Sequence, residues 1–222
     1  MYPTIEVRWF GAGVPASAMA WWLTREADDL EEEPPRVDAY LSAVGDSLGI
    51  KLRQGRVEIK QRQAVYGAVQ LGEDVRGIAE KWHKWSFAIA RPDRRLADLD
   101  FSWMRVKKQR WMRRYGIDGS RAFLLAPVLD SDVRTCEVEL TRVEFAGGKW
   151  WSFCLEALGR DEGDIRDVLV PVAEHVFEPG HNPPELFEKD SCGYARWLEM
   201  RSGDMWGCPR AKETLRGTIH HN

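Results

Sequence analysis

Residues 49–62 read GIKLRQGRVEIKQR, and no other stretch of the chain restricts its fold as tightly. Apolar and polar residues alternate with the period of a β-strand, and Gln54-Gly55 falls where a two-residue hairpin turn would sit. Glycine accepts the positive φ of such a turn at little cost. Folding the segment about that turn brings Leu52 to Val57 and Ile50 to Ile59 on one face. On the other face Lys51 meets Glu58, a favourable pair. Arg53 meets Arg56, a like-charge contact that costs stability unless water or an anion separates them. That face gathers Lys51, Arg53, Arg56, Lys60 and Arg62 in a chain of formal net charge −3.

Other segments alternate in the same way. TIEVRWF sets Ile5, Val7 and Trp9 against Thr4, Glu6 and Arg8 as a first strand, and VDAYL leads into the hairpin. GIAEKWHKWSFAIA suits strand or helix and is taken as strand. FSWMRVKKQRWMRRYGI is extended and carries Arg105, Lys107, Lys108, Arg110, Arg113 and Arg114 with no acid. RTCEVELTRVEF and KWWSFCLEALG form two strands joined at Gly147-Gly148. Glu137, Glu139 and Thr141 share a face of the first, and Ser152, Cys154 and Glu156 share a face of the second.

A helix starting near Pro15 and Ser17 runs through Met19, Trp21, Trp22 and Leu23. The acidic run READDLEEEPPR reads as its solvated end and a loop. DGSRAFLLAPVLDSD reads as a loop with a short helix, and DEGDIRDVLVPVAEHVFE as a helix interrupted by Pro171. PGHNPPELFEKD is a loop and GYARWLEM a last short helix. We expect one domain over residues 1–222, with a helical C-terminal extension from about residue 161.

Composition narrows the function classes. At 44% hydrophobic and 30% charged, the chain has material for a core. Cys136, Cys154, Cys192 and Cys208 lie far apart with no C-x-x-C pair, which suits reduced thiols in a cytoplasmic protein. The five histidines show no H-E-x-x-H spacing. No apolar run is long enough to span a bilayer. GVPASAMAWWL follows Glu6 and Arg8 in place of the basic region of a secretory signal. Eleven tryptophans serve cores, interfaces and base stacking alike.

A strand with one charged face usually turns that face to water. Here cations cluster on two strand regions, and carboxylates on strand one and the two strands after residue 135. An α+β fold accounts for the whole pattern: an antiparallel β-barrel with charged faces inward and helices packed outside on the apolar ones. A dry interior would make so many charges prohibitive, whereas a water-filled tunnel that receives a polyanion does not. Arginine offers phosphate a planar fork and lysine a point charge. Carboxylates at one end would hold a divalent cation through oxygen ligands.

The order of these pieces resembles the CYTH superfamily, the triphosphate tunnel metalloenzymes. Its opening E-x-E-x-K strand is similar to TIEVR, with Thr4, Glu6 and Arg8, and its D-x-Y motif to Asp38 and Tyr40. The L-R-x-R-type strand resembles IKLR, with Lys51 and Arg53, and the next basic strand VEIK, with Lys60. The K-x-R strand resembles VKKQR, aligned on Lys108 and Arg110. The late acidic strands resemble EVEL, with Glu137 and Glu139, and Cys154-Leu155-Glu156. The resemblance covers roughly residues 4 to 160 and rests on order and alternation, since no single motif is specific. The chain departs from the pattern at Thr4 and Cys154, where the family has metal-binding carboxylates, and at Arg8, where it has lysine.

The resemblance implies a metal-dependent phosphohydrolase acting on inorganic triphosphate or a small organic triphosphate. Lys51, Arg53, Lys60, Lys108 and Arg110, with Arg56 and Arg62 on the same hairpin face, would hold phosphate. Glu6, Glu137, Glu139 and Glu156 would hold Mg²⁺ or Mn²⁺, and Glu6, Arg8, Glu139 and Glu156 would form the catalytic group. A catalytically inactive tunnel that binds a phosphorylated ligand is the alternative, favoured by the lost carboxylates. The third reading is an RNA-binding module in which Trp103, Trp111 and Tyr115 stack bases between the cations. Net charge −3 and pI ≈ 6.0 count against it. The ligand's organic part and the oligomeric state, a dimer included, stay open.

Overall fold

The structure, a computed structural model, describes residues 2–25, 30–42, 44–89, 103–119, 121–125, 134–158, 163–178 and 183–205. In chain order the strands are β1 (Tyr2–Ala12), β2 (Glu31–Glu32), β3 (Arg36–Leu41), β4 (Leu48–Arg53) and β5 (Arg56–Gln70). They continue with β6 (Arg76–Ala88), β7 (Trp103–Asp118), β8 (Arg121–Leu124), β9 (Thr135–Phe145) and β10 (Gly148–Leu158). The helices are α1 (Ala16–Thr24), α2 (Val170–Val176) and α3 (Tyr194–Met205). Eight strands close a barrel in the order β7-β3-β4-β5-β6-β1-β10-β9, with β9 pairing back onto β7 and every neighbour antiparallel. β2 and β8 add to β7 outside that path. This is the closed antiparallel α+β barrel that the strand pattern implies.

The β4–β5 hairpin has the register its sequence dictates. Lys51 pairs with Glu58, Leu52 with Val57 and Arg53 with Arg56, across a turn in which Gln54 and Gly55 take φ of 47° and 74°. The Arg53–Arg56 conflict is relieved by divergence. Arg53 turns inward, while Arg56 stays exposed and donates to Ser86 Oγ at 2.8 Å. The β9–β10 turn is Ala146-Gly147, one residue earlier than expected, with Gly148 already in β10.

Alternation places the core outside the barrel wall. Ile5, Val7 and Trp9 join Leu140, Phe153, Leu155 and Tyr115 beneath α1 and α2, with Trp21, Trp22, Val172 and Val176 among the buried side chains. Trp9, Trp21, Trp22, Trp82, Trp111 and Trp197 are all buried, so packing accounts for much of the tryptophan. The coverage is one-sided. On β4–β6 the outward residues Ile50, Leu52, Val57 and Ile59 are half-buried, and Phe87 is exposed. At one end of the lumen a second cluster unites Phe10, Val106, Val143 and Phe145 with Trp197 and Leu198 of α3. Trp197 stacks on Phe10 at 4.6 Å, and this end of the barrel is apolar and covered.

Three expectations need correction. Residues 121–124, expected in a loop with a short helix, form β8; residues 126–133 of that segment lie outside the described residues. Pro171 does not interrupt its helix. A π-helical turn, Ile165–Leu169, precedes α2 and Pro171 sits in the first turn of α2, where its missing N–H costs least. The acidic run is not a solvated loop throughout, because β2 lies on β7 and Glu31 pairs with Arg114 at 2.7 Å.

Candidate functional site

Residues of all eight barrel strands, with the first turn of α3, line a cavity of about 100 Å³. Its walls carry Arg8, Arg36, Lys51, Arg53, Lys60, Lys84, Lys108 and Arg110 against Glu6, Glu58, Glu139 and Glu156, with Tyr40, Trp82, Thr141 and Tyr194 between them. The charges divide by wall rather than by end. Strand register sets Glu80, Glu6, Glu156 and Glu137 in one row across β6, β1, β10 and β9, and Arg8, Cys154 and Glu139 in the next. The facing wall, β3–β5 and β7, supplies most of the cations.

Ion pairs link the walls. Lys60 on β5 reaches over to Glu6, with which it pairs closely, and to Glu156 at 3.1 Å. Arg8 binds Glu139 at 2.5 Å, and Arg110 takes the other Glu139 oxygen at 2.9 Å. Burial alone would raise the Glu139 carboxyl, but Arg8 and Arg110 outweigh it and hold it well below the ordinary range. Burial would likewise raise Glu156; Lys60, then Lys84 and Arg8, bring it down to about 2. Lys60 is desolvated too, yet Glu156 and Glu6 keep its ammonium above the ordinary lysine value.

Around Asp38 the balance reverses. Its carboxylate is fully buried, with Arg36 at 3.3 Å, Lys108 at 3.5 Å and Lys51 at 3.9 Å. Lys108 Nζ donates to Tyr40 Oη at 2.6 Å and lies 3.6 Å from the Tyr194 ring centroid. Burial, and then Lys51 and Arg8, push the Lys108 ammonium well below its ordinary value despite Asp38. Lys51 is lowered as well, by burial.

Of the residues singled out from sequence, the fold brings Glu6, Arg8, Lys51, Arg53, Lys60, Lys108, Arg110, Glu139 and Glu156 onto one lumen. Arg56, Arg62 and Glu137 do not line it. Arg62 is engaged by Asp46 at 2.9 Å and Glu80 at 3.0 Å, and Glu137 by Arg114 at 3.1 Å. Cys154 is fully buried between Arg8 and Glu139 in the register, and burial pushes its thiol well above the usual range, so it is no nucleophile. Arg36 and Tyr194 are lumen residues that the sequence reading passed over. Arg36 shares strand parity with Asp38 and Tyr40, a signal already present in RVDAYL. Glu33, read from sequence as solvated loop, pairs with Arg110 and Arg36, contacts that no local pattern announces.

The carboxylates do not form a metal set as they stand. Among the described residues no group of three or more His, Cys, Asp or Glu side chains is arranged to hold a metal ion. Lys60 Nζ occupies the space between Glu6 and Glu156, and Arg8 contacts both Glu6 and Glu139. The ammonium of Lys60 and the guanidinium of Arg8 thus already serve as counter-charges to Glu6, Glu156 and Glu139.

β7 also shows that not every cation in a basic stretch faces the ligand space. Arg113 points outward, fully buried, and donates to Trp22 O at 2.8 Å and to Arg25 O, neutralising carbonyls at the end of α1. Trp111 and Tyr115 are buried in the core and offer bases no stacking platform, which leaves the half-buried Trp103 as the one accessible aromatic of the three named for RNA binding. Among the described residues no helix is long and apolar enough to cross a membrane. Cys136, Cys154 and Cys192 are free thiols.

No family model matches the chain, and no curated protein matches it. Solved structures similar to it include two of low sequence identity. The PH1012 protein from Pyrococcus horikoshii OT3 is 17% identical over 85% of this chain and 93% of its own, with a TM-score of 0.45. A putative adenylyl cyclase, HpAC1 from Hippeastrum, described as having a dominant triphosphatase activity, is 13% identical over 91% of this chain and 96% of its own, with a TM-score of 0.41.

Proposed function

We propose that the barrel is a binding tunnel for a triphosphate-type polyanion, inorganic or carried on a small organic group. The observation that supports this most is the wall itself: eight lysines and arginines against four glutamates in one enclosed space, with Asp38 and Glu33 behind it offsetting part of the excess. Cations held this close in a low-dielectric lumen repel one another, and a chain of phosphoryl groups supplies the missing charge along the whole channel. Arg53 and Arg110 offer bidentate forks, and Lys51 and Lys108 compact charges whose pKa values are already strained downward. Phosphate oxygens would raise those values again on binding.

Because Lys60, Arg8 and Arg110 already supply counter-charge to Glu6, Glu156 and Glu139, binding on this reading needs no divalent ion. A second reading, metal-dependent hydrolysis with Glu6, Glu139 and Glu156 around Mg²⁺ or Mn²⁺, is favoured by one feature. Glu6 stands directly opposite Glu156 on adjacent strands. It requires Lys60 Nζ to leave the gap between them.

Titration of the purified chain with tripolyphosphate, with and without Mg²⁺ or Mn²⁺, while orthophosphate release is followed, separates the two. Metal-independent binding without release supports the tunnel reading. Metal-stimulated release that Glu156→Gln abolishes establishes the hydrolase. Absence of binding under both conditions sinks the proposal.

A further inference from the structure

The segment after Leu30 puts a carboxylate where a ligand group would go. β2 pairs with β7 through two residues only, Glu31 opposite Met112 and Glu32 opposite Trp111, and one further backbone bond runs from Glu33 N to Arg110 O at 2.9 Å. Pro34 and Pro35 then turn the chain into β3. At this bend Glu33 reaches toward the lumen. One of its oxygens pairs closely with Arg110, and the other with Arg36 and, at 3.7 Å, with Arg53.

All three arginines line the cavity. They come from β3, β4 and β7, and their guanidinium groups are mostly buried. Three guanidinium groups around one carboxylate leave donors over. Arg110 Nε is buried without a partner, and Arg36 is lowered first by burial and, among its charged neighbours, by Arg53 and Arg110. A terminal phosphoryl group carries more charge than a carboxylate and presents three oxygens instead of two. It therefore fits this cradle better than the residue now in it.

Resting on the tunnel reading above, we propose that Arg36, Arg53 and Arg110 form the subsite for a terminal phosphoryl group and that Glu33 is its internal occupant, displaced when a polyanion binds. Glu33 supplies the counter-charge without which three partly buried arginines would repel one another. It yields readily because few backbone bonds hold its strand. Glu33 thereby weakens binding of every anion.

Calorimetric titration with tripolyphosphate tests this on the full chain. Glu33→Gln keeps the shape and removes the competing charge, and Glu32→Gln, whose side chain meets only Gln109 on the exposed side, is the control. The expected result is a roughly five- to tenfold gain in affinity for Glu33→Gln and none for Glu32→Gln, at the low end of usual coupling between competing ligands. In the wild-type chain, hydrogen exchange at the Glu33 amide should speed up when tripolyphosphate is added. This second measurement stands even if the variant folds poorly. Unchanged or weaker binding by a folded Glu33→Gln protein, or slower exchange at Glu33 on ligand addition, overturns the inference. If wild-type binding is lost in Arg53→Ala but indifferent to Glu33→Gln, the tunnel reading survives and only this inference fails. If neither wild type nor Glu33→Gln binds, both fail.

Discussion

The two walls of the lumen handle charge in opposite ways. On β6, β1, β10 and β9 the carboxylates Glu6, Glu139 and Glu156 are each met by a cation at 3.1 Å or closer, from Lys60, Arg8 or Arg110. On β3, β4 and β7 the cations Arg36, Lys51, Arg53, Lys108 and Arg110 share Asp38, Glu58 and the borrowed Glu33 at distances that reach 3.9 Å. On the first wall every carboxylate that lines the lumen is held in a short ion pair, and that pairing belongs to the fold. The second has coordination to spare, which is the condition for holding an anion from outside. Substitutions on the first should therefore cost stability, and on the second affinity.

The largest effect should come from breaking that pairing. Glu139→Ala takes from the buried Arg8 its closest ion pair and leaves it Glu6 at 3.9 Å, Ser152 at 3.3 Å and the face of the Tyr194 ring. We expect a loss of about 3–5 kcal/mol, the usual cost of removing one partner of a buried ion pair, read from urea unfolding. A loss below about 1 kcal/mol, the range of surface pairs, would mean that the acidic wall is as loosely held as the basic one.

Arg53→Ala comes next and should leave stability nearly intact while weakening tripolyphosphate binding about 10- to 100-fold, as expected for one charge-assisted hydrogen-bonding group. Its control is Arg105→Ala, an exposed arginine. Arg25 would be a poor control, since it is buried and donates to His175 O at 2.7 Å. Equal losses at positions 53 and 105 would erase the distinction between the walls.

The smallest effect is the pH dependence of the acidic wall. Glu156 is depressed to about 2, so its contribution is complete above the ordinary carboxylate value and disappears as pH falls through about 2. Glu80 is raised by burial and then by Glu6, so its protonation on mild acidification favours the folded state. The gap in Tm between wild type and Glu156→Gln should accordingly narrow as pH drops from about 5 toward 2. A gap that stays constant over that range would show that Lys60 does not hold Glu156 ionised.

How much of this was legible in the chain depends on the distance over which each contact acts. The alternation of residues 49–62 dictated the hairpin down to the pairing of Leu52 with Val57. The alternation of TIEVRWF likewise put Glu6 and Arg8 on one face of β1 with Ile5, Val7 and Trp9 on the other, and the side-chain period of two makes that division unavoidable in any strand. The basic run on β7 was visible as a run, but its residues part company in space. Lys108 and Arg110 enter the lumen, Arg105 stays exposed, and Arg113 is drawn to the carbonyls of α1, 88 and 91 residues away in sequence.

Glu33 was illegible for the same reason. An acidic run beside two prolines looks solvated until β7 is laid against it.

Sequence alone thus determined which residues form strands and which side of each strand carries charge, because both follow from local sterics and a fixed period. Tertiary structure decided which charges meet. The Arg8–Glu139 pair spans 131 residues and the Lys60–Glu156 pair spans 96, and both exist only because the barrel closes. Closure also chose the end of the lumen that α3 covers, and it left the basic wall, not the acidic one, short of counter-charge. Coulomb energy depends on separation in space and on burial, and neither is set until the last strand pairs with the first.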